Sequence, residues 1–392
     1  MTHLMPIDVM PIDLSDLLAW CESERAWLRQ TIETLVALES PSTDKAAVDR
    51  CGDELASRLR GIGGTVTRLD GGDRGDHIVA DFDGASPGLL VLGHFDTVWP
   101  VGQIARMPLR EEAGRLYGPG IFDMKAGIGV AMLAMRAVRE MKLPYAPRVT
   151  MLWTTDEEIG SGTSRSAIEA HARQVSAVYV LEPSLPGGAA KTSRKGVGEF
   201  ELTVHGVSAH AGLDPERGAS AIHELAHQII AITALQDVER GVTLNVGRIA
   251  GGSRTNVVAE SAHASIDVRV STMADAARIE ESLHRLRPCL TRTRLELRGG
   301  VDRPPLERGP GVVHLYELGR EVARALGRDL AEGAAGGASD GNFTAALGVP
   351  TLDGLGPRGD GAHALHEHVE LEDLAWRSAF LAALLSRARK VH

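Results

Sequence analysis

Three short segments carry residue types that can do chemistry: His94-Phe95-Asp96-Thr97, Gly120-Ile121-Phe122-Asp123-Met124-Lys125 and Thr155-Asp156-Glu157-Glu158. In order they supply one imidazole and several carboxylates, each just after an apolar run. A two-metal hydrolase gathers its ligands from sequence-distant loops in this way. Two divalent ions roughly 3.5 to 4 Å apart need a bridging carboxylate. Asp123 is the natural bridge, because Gly118, Gly120 and Gly127 let backbone crowd close to it. His94 would bind one ion. In His-x-Asp the second residue can accept the other imidazole N–H and fix the tautomer, which places Asp96 behind His94 rather than on a metal. Glu157 and Glu158 are adjacent at a strand end and so point in different directions. Glu158 is assigned as a ligand and Glu157 as the general base facing the attacking water. Glu182 supplies a ligand to one ion, and a late histidine completes the other. Spacing alone leaves that last position open among His363, His366 and His368.

These residues need elements to aim them. Leu89 to Gly93 is a continuous apolar run too short for a helix, and it delivers His94 and Asp96 at its end. Val149 to Trp153 does the same for Glu157 and Glu158, and Ala177 to Leu181 for Glu182. Three strands therefore aim acids or histidine at one rim, where open α/β sheets bind ligands. Strand and helix are expected to alternate up to about residue 185, the rhythm of a mostly parallel sheet. A helix is predicted over Met124 to Met141, with Asp123 near its N-terminus. From about residue 195 the pattern becomes β-α-β-β-α-β, with strands near Phe200, Thr243, Ala262 and Arg294 and helices over 220–233 and 274–286. That order predicts a small ferredoxin-like α+β insert. The expected division is 1–194 and 305–392 for the larger domain and 195–304 for the insert. The larger domain resumes with a helix from Gly311, a strand over 349–352 and a last helix over 371–387.

Single residues have blander readings. A lone histidine after a strand is more often a core or surface group than a ligand. His94 escapes that reading because it comes with Asp96, Asp123 and Glu158, and acids are rarely buried unpaired. His205, His223, His227 and His263 have no such company and read as structural. Gly127-Ile128-Gly129 hints at a dinucleotide fingerprint but lies inside the predicted helix and lacks the third glycine. Gly337-Ala338-Ser339-Asp340-Gly341 matches a nucleophile elbow but follows a Gly/Ala loop rather than a strand.

Composition excludes much else. With 392 residues, 43% hydrophobic and 24% charged, the chain reads as globular, with a prior of two domains. Fifty-two acids against 42 bases give a formal charge of -10, which argues against nucleic acid or an anionic membrane as partner. Cys21, Cys51 and Cys289 lack paired metal spacing and read as reduced thiols. Asp8, Asp13, Asp16 and Glu22 stand where a signal peptide would be basic and apolar, so a cytoplasmic location is expected.

At these residues the chain resembles the metallopeptidases and amidohydrolases that include acetylornithine deacetylase, succinyl-diaminopimelate desuccinylase and bacterial glutamate carboxypeptidase. The matching segments are Gly93 to Pro100, Gly118 to Gly127, Thr155 to Ser161, Glu182-Pro183-Ser184, and Gly361-Ala362-His363 with Glu367 four residues on. The resemblance implies two zinc ions, with cobalt or manganese as alternatives, and His363 rather than His366 as the final ligand. It also implies a catalytic domain interrupted by a lid that dimerises. In the lid, Gly206-Val207-Ser208-Ala209-His210-Ala211-Gly212 carries the family's histidine, which in relatives reaches across the dimer to the substrate carbonyl. Asn256 and Arg269 match positions that relatives use for the oxyanion and the substrate carboxylate. The segment 95–100, with Arg194-Lys195-Gly196, looks closest to the glutamate carboxypeptidases. His366 and His368 depart from the pattern, since relatives often carry a small polar residue after the ligand.

The expected substrate is a small N-acyl amino acid or a short peptide. The leading reading is a carboxypeptidase releasing a C-terminal amino acid such as glutamate. An N-acyl-amino-acid deacylase is the alternative, and a non-catalytic metal-binding dimer is a third reading. Glu157, which ligates nothing in this assignment, speaks against the third.

Overall fold

The computed structural model describes residues 13–143 and 147–387; Asp8, used above, lies outside them. The chain divides into two compact units. Unit 1 holds the described residues up to Thr192, Arg308–Gly333 and those from Ser339 onward; unit 2 holds Ser193–Glu307 and Ala334–Ala338. The short return of 334–338 to unit 2 has no counterpart in the sequence-based division.

Unit 1 begins with three helices in succession, α1 (Leu14–Ser23), α2 (Arg25–Ala37) and α3 (Lys45–Gly61). β1 (Thr65–Leu69), β2 (His77–Phe82) and β3 (Ala85–His94) follow with no helix between them. The expected alternation of strand and helix therefore starts only after β3. A hairpin of β4 (Arg110–Glu112) and β5 (Arg115–Tyr117) precedes α4 (Ala126–Glu140), β6 (Pro147–Thr154), α5 (Arg165–Ala172) and β7 (Val175–Val180). The main sheet runs β1-β2-β6-β3-β7-β14, where β14 is Thr351–Leu352. Pairings of β3 with β6 and β7, and of β7 with β14, are parallel; β2 is antiparallel to both neighbours.

Both faces of this sheet are covered, so its strands read as unbroken apolar runs. Leu89 and Val91 of β3 turn to one face with Met151 and Trp153, against α4 and the last helix. Leu90 and Leu92 turn to the other with Leu152, Val178 and Ile168 of α5. This is the two-residue alternation of a strand. Each fully buried Leu or Val contributes about 1.5–3 kcal/mol.

β8 (Ala190–Arg194) leads into unit 2, which comprises β9 (Gly196–His205), α6 (Ala221–Thr233), β10 (Thr243–Gly251), β11 (Ser261–Val270), α7 (Met273–His284) and β12 (Arg294–Arg303). Its antiparallel sheet has the order β10-β11-β9-β12, the ferredoxin-like arrangement. Phe200, Leu202 and Val204 join Ala262 to Val270 at alternate positions to pack under Leu225 and Ile232 of α6 and Ile279 of α7. Ser220 and Thr272 cap the two helices through hydroxyl oxygens that accept backbone N–H bonds.

Unit 1 resumes with α8 (Pro310–Ala325), β13 (Glu332–Ala335), α9 (Gly341–Ala346), β14, β15 (Gly359–Asp360), β16 (His368–Glu370) and α10 (Leu371–Arg387). β15, β16, β5 and β4 form a small antiparallel sheet. Strands of two or three residues show no readable period, and the sequence analysis missed this sheet. It matters because β16 pairs with β5 in the register His368↔Tyr117. That brings the histidine-rich segment beside Gly118 to Asp123.

Candidate metal centre

β3, β6 and β7 are parallel neighbours, so their C-terminal ends share one rim. His94 is the last residue of β3, Glu157 and Glu158 begin a 3-10 turn just past β6, and Glu182 lies two residues past β7. Asp123 arrives differently. Gly120 adopts φ +70°, open to glycine at little cost, and starts a turn over Ile121–Lys125 that precedes α4. The helix thus begins two residues later than the sequence pattern suggests. His363 sits in the loop between β15 and β16 with φ +62°, a left-handed conformation uncommon for a non-glycine residue.

Asp123 stands between two histidines. Its Oδ1 is 3.2 Å from His94 Nε2, and its Oδ2 is 3.5 Å from His363 Nε2. Each histidine has a second carboxylate. His94 Nε2 is 3.4 Å from Glu182 Oε1, and His363 Nε2 is 3.1 Å from Glu158 Oε2. Two sets of three donors therefore share Asp123. His94, Asp123 and Glu158 offer ligand atoms all within 4.8 Å of one another. His94 is 1% exposed and His363 51%, so one set is closed in and the other open on one side.

The titration tendencies have one physical cause. Burial opposes a charge on His94, but hydrogen bonds to Asp123, Asp96 and Glu182 hold its pKa well above the ordinary value. Hydrogen bonds to Asp123 and Glu158 take His363 to about 10. Burial would raise Asp123, yet His363 and His94 hold it well below the usual carboxylate range. Burial raises Glu158 against its bond to His363. Four carboxylates, Asp96, Asp123, Glu158 and Glu182, thus draw protons onto two imidazoles, which is the behaviour of a cluster short of positive charge. Imidazole and carboxylate donors fit divalent cations and do not choose among zinc, cobalt and manganese.

Asp96, fully buried, ties the rim together. Its Oδ2 accepts from Ser42 Oγ at 2.7 Å and from the Glu158 N–H at 3.3 Å; its Oδ1 accepts from the Glu157 N–H at 3.3 Å. His94 Nδ1 lies 3.1 Å from the Asp96 carbonyl oxygen and 3.4 Å from Oδ1. One residue therefore orients the imidazole and anchors the turn that presents both glutamates.

Glu367 does the same for Asp123, a role that sequence reasoning missed. Its Oε2 accepts from Trp99 Nε1 and the Gly120 N–H, both at 2.8 Å, and its Oε1 from the Phe122 and Asp123 N–H groups at 2.9 and 3.1 Å. Burial pushes its pKa up to about 7 against these donors. The spacing His363-x-x-x-Glu367 was visible, but backbone donors leave no mark in a sequence. The neighbouring histidines diverge: His366 is exposed, while His368 is buried with its ring centroid 5.0 Å from that of Tyr117.

The two misleading motifs have structural explanations. Inside α4, a Cβ on Gly127 would meet the Leu181 carbonyl oxygen at 2.3 Å, and one on Gly129 would meet Ile32 at 2.6 Å. Both glycines serve close packing. Ser339 is fully buried and donates to Asp353 at 2.6 Å, well placed for structure and hidden from a substrate.

The three remaining residues lie in unit 2. His210 is exposed, and its Nδ1 accepts from the Gly212 and Leu213 N–H groups at 3.1 and 3.2 Å, which leaves its proton on Nε2. Asn256 is exposed, and its carbonyl accepts from the Ala211 N–H at 3.0 Å. Arg269 already holds Asp267 through its guanidinium fork, at 2.9 Å from Nε and 2.7 Å from a terminal nitrogen. Among the other histidines of this unit, His205 is 3.3 Å from Glu296, and His263 pairs with Thr203 and Ser261.

A sheet rim that gathers two imidazoles and two glutamates around Asp123 suits a metal-dependent hydrolase. Residues 90–387 match Peptidase family M20/M25/M40, and the chain belongs to that family. It is 28% identical to carboxypeptidase G2 of Pseudomonas sp. (strain RS-16) over 364 residues, covering 91% of this chain and 88% of that protein. It is 28% identical to succinyl-diaminopimelate desuccinylase of Xanthomonas oryzae pv. oryzae (strain PXO99A) over 373 residues, 90% and 96% of the two chains. Its fold resembles that of aminopeptidase PepT from Bacillus cereus ATCC 10987, with a TM-score of 0.76 at 22% identity over 92% of this chain and 98% of that one. The coarse function is thereby a metal-dependent peptidase or amidohydrolase.

Proposed function

We propose that this chain cleaves the amide bond to a C-terminal amino acid, in the manner of a glutamate carboxypeptidase, with two divalent ions held by His94, Asp123, Glu158, Glu182 and His363. The observation that carries the reading is Asp123, whose two oxygens face two different histidines at 3.2 and 3.5 Å. Zinc is the ion proposed first, with cobalt and manganese as alternatives. When bound, the ions supply Lewis acidity toward the amide carbonyl and an acidified water.

The chain's own residues do the rest. Asp96 holds the turn that carries Glu157, and Glu157 takes a proton from the attacking water and returns it to the leaving amine. His210, with Nε2–H free to donate, suits a developing oxyanion, and Asn256 supports the same charge. Arg269 would take the substrate carboxylate by exchanging its present partner Asp267. His210 and Asn256 are exposed and Arg269 is partly so, and these polar settings support substrate contact.

Similarity to the desuccinylase over 96% of that protein supports a second reading, an N-acyl-amino-acid deacylase. Pairing of two copies through unit 2 is supported by the edge strand β10 and by the exposed Ile222, Ile230 and Ile249 on α6 and β10. No helix among the described residues is long and apolar enough to cross a membrane, and a cytoplasmic location is proposed.

The test is amine release from dipeptides and N-acyl amino acids that vary in the C-terminal residue, with metal-loaded and chelated protein. Chelator-sensitive release governed by a C-terminal glutamate supports the carboxypeptidase. Release governed by the acyl group moves the protein to the deacylases.

A further inference from the structure

Lys125 is 1% exposed, and its ammonium has no part in the chemistry proposed above. A buried charge ordinarily sits against an opposite one. Among the described residues Lys125 makes no ion pair. Its Nζ donates instead to two carbonyl oxygens, those of Leu35 and Leu38, each at 2.8 Å. Leu35 lies in the last turn of α2, and Leu38 is the residue that ends it. Carbonyls there lack helical partners and carry the negative end of the helix dipole, so an ammonium suits them. The end of α2 is thereby tied to the turn Ile121–Lys125 that presents Asp123.

The chain past Leu38 runs on to the other ligand-bearing loop. Glu39 accepts from the Gly102 and Ile104 N–H groups at 2.7 and 2.8 Å. Ser40 Oγ donates to the Phe95 carbonyl at 2.5 Å, and the Ser40 carbonyl accepts from the Thr97 N–H at 2.9 Å. Ser42 Oγ donates to Asp96 at 2.7 Å. One short stretch, residues 35–42, thus grips the loop that follows His94 and, through Lys125, the turn that carries Asp123. A metal ion holds its ligands to within about 0.2 Å, so the relative placement of these two turns decides whether His94 and Asp123 can share one.

We propose that residues 35–42 form a strap that sets the spacing of the two turns, and that Lys125 is the positioning residue that fastens Asp123 to it. The inference rests on the function proposed above in needing metal at Asp123, and it is independent of which amide is cleaved. Glu367 holds the same turn through the Gly120, Phe122 and Asp123 N–H groups, so loss of Lys125 loosens Asp123 without freeing it.

The test is metal affinity in the full-length protein, titrated against a chromophoric chelator, with circular dichroism to establish folding. Lys125→Met keeps most of the buried stem and removes the donors, and Ser42→Ala cuts the strap at its far end. Glu224→Gln is the control: it disturbs a buried carboxylate of unit 2 that accepts from the Cys289 and Leu290 N–H groups. Lys125→Met should bind both ions about tenfold more weakly or worse, because Asp123 serves both. Ser42→Ala should lose about threefold, since Asp96 keeps its two backbone donors, and the control should match wild type. At saturating metal, Lys125→Met should show a lowered kcat with an unchanged KM, because Lys125 touches no substrate. A folded Lys125→Met protein that binds both ions as wild type does, or a control that loses as much, overturns the strap. If Lys125→Met does not fold, wild-type affinity in Ser42→Ala overturns it. Wild-type protein that binds two ions yet releases no amine from any dipeptide or N-acyl amino acid defeats the proposed cleavage alone; wild-type protein that binds no metal defeats both.

Discussion

Replacing Glu367 by glutamine probes how Asp123, the proposed bridge, is held. The carboxylate accepts four N–H groups, two on each oxygen. A carboxamide keeps one oxygen and turns the other into a donor, so two buried N–H groups lose their acceptor. At about 1–3 kcal/mol for each unsatisfied donor, the loss is about 2–6 kcal/mol. Two considerations pull that down. Burial already pushes the Glu367 pKa up to about 7, so the neutral amide avoids a desolvation penalty, and the loop can shift. The lower end, about 2 kcal/mol, is therefore expected, and it falls on the segment 120–123 that carries Asp123. Groups behind metal ligands typically change metal affinity by about 10–100-fold when altered. The assay is competitive titration of Glu367→Gln with a chromophoric chelator, alongside circular dichroism to establish folding. Trp99→Phe removes one of the four donors and should lose less. A folded Glu367→Gln protein that binds metal within about twofold of wild type would refute the reasoning.

Three further outcomes follow from the same geometry. His363, with a pKa of about 10, is held protonated at neutral pH in the metal-free protein and the carboxylates around His94 shift it in the same direction, so metal loading should release protons, read as a dependence of calorimetric heat on buffer ionisation enthalpy; independence from the buffer would contradict it. Asp373 accepts from Arg377 Nε at 2.9 Å, the Arg358 N–H at 2.8 Å and Arg328 at 2.5 Å, and Asp373→Asn strands the buried Arg377, so denaturant unfolding should show a loss of about 3 kcal/mol. Burial opposes but these partners outweigh it, leaving the Asp373 pKa lowered; a depressed carboxylate stabilises above its unfolded pKa, so its contribution should fade below about pH 4, and Asp373→Asn should flatten that acid limb of stability.

Much of the main sheet could be read from the sequence because buried strands leave unbroken apolar runs. Leu89 to Gly93, Val149 to Trp153 and Ala177 to Leu181 became β3, β6 and β7 with the candidate residues at their ends. Unit 2 was legible for the opposite reason, since one polar face gives clean alternation through residues 262–270. The small sheet of β4, β5, β15 and β16 was invisible because its strands are two or three residues long. With it went the route by which His363 reaches Asp123 and the choice between His363 and its neighbours on spacing alone. Glu367 and Ser42 were overlooked as organisers because their partners are backbone N–H groups or a buried carboxylate brought near only by folding. The pairing of Arg269 with Asp267 at i, i−2 was, by contrast, available from strand periodicity.

The central claim is that Asp123 joins two metal positions and that Glu157 acts beside them without ligating. Metal content by inductively coupled plasma mass spectrometry, measured with turnover for wild type, Asp123→Asn and Glu157→Gln, tests it most directly. The account requires two ions per wild-type chain, loss of both metal and turnover in Asp123→Asn, and two ions with turnover reduced by about 10²-fold or more in Glu157→Gln. Turnover in chelated wild type, or an Asp123→Asn protein that keeps both ions and its activity, would contradict it.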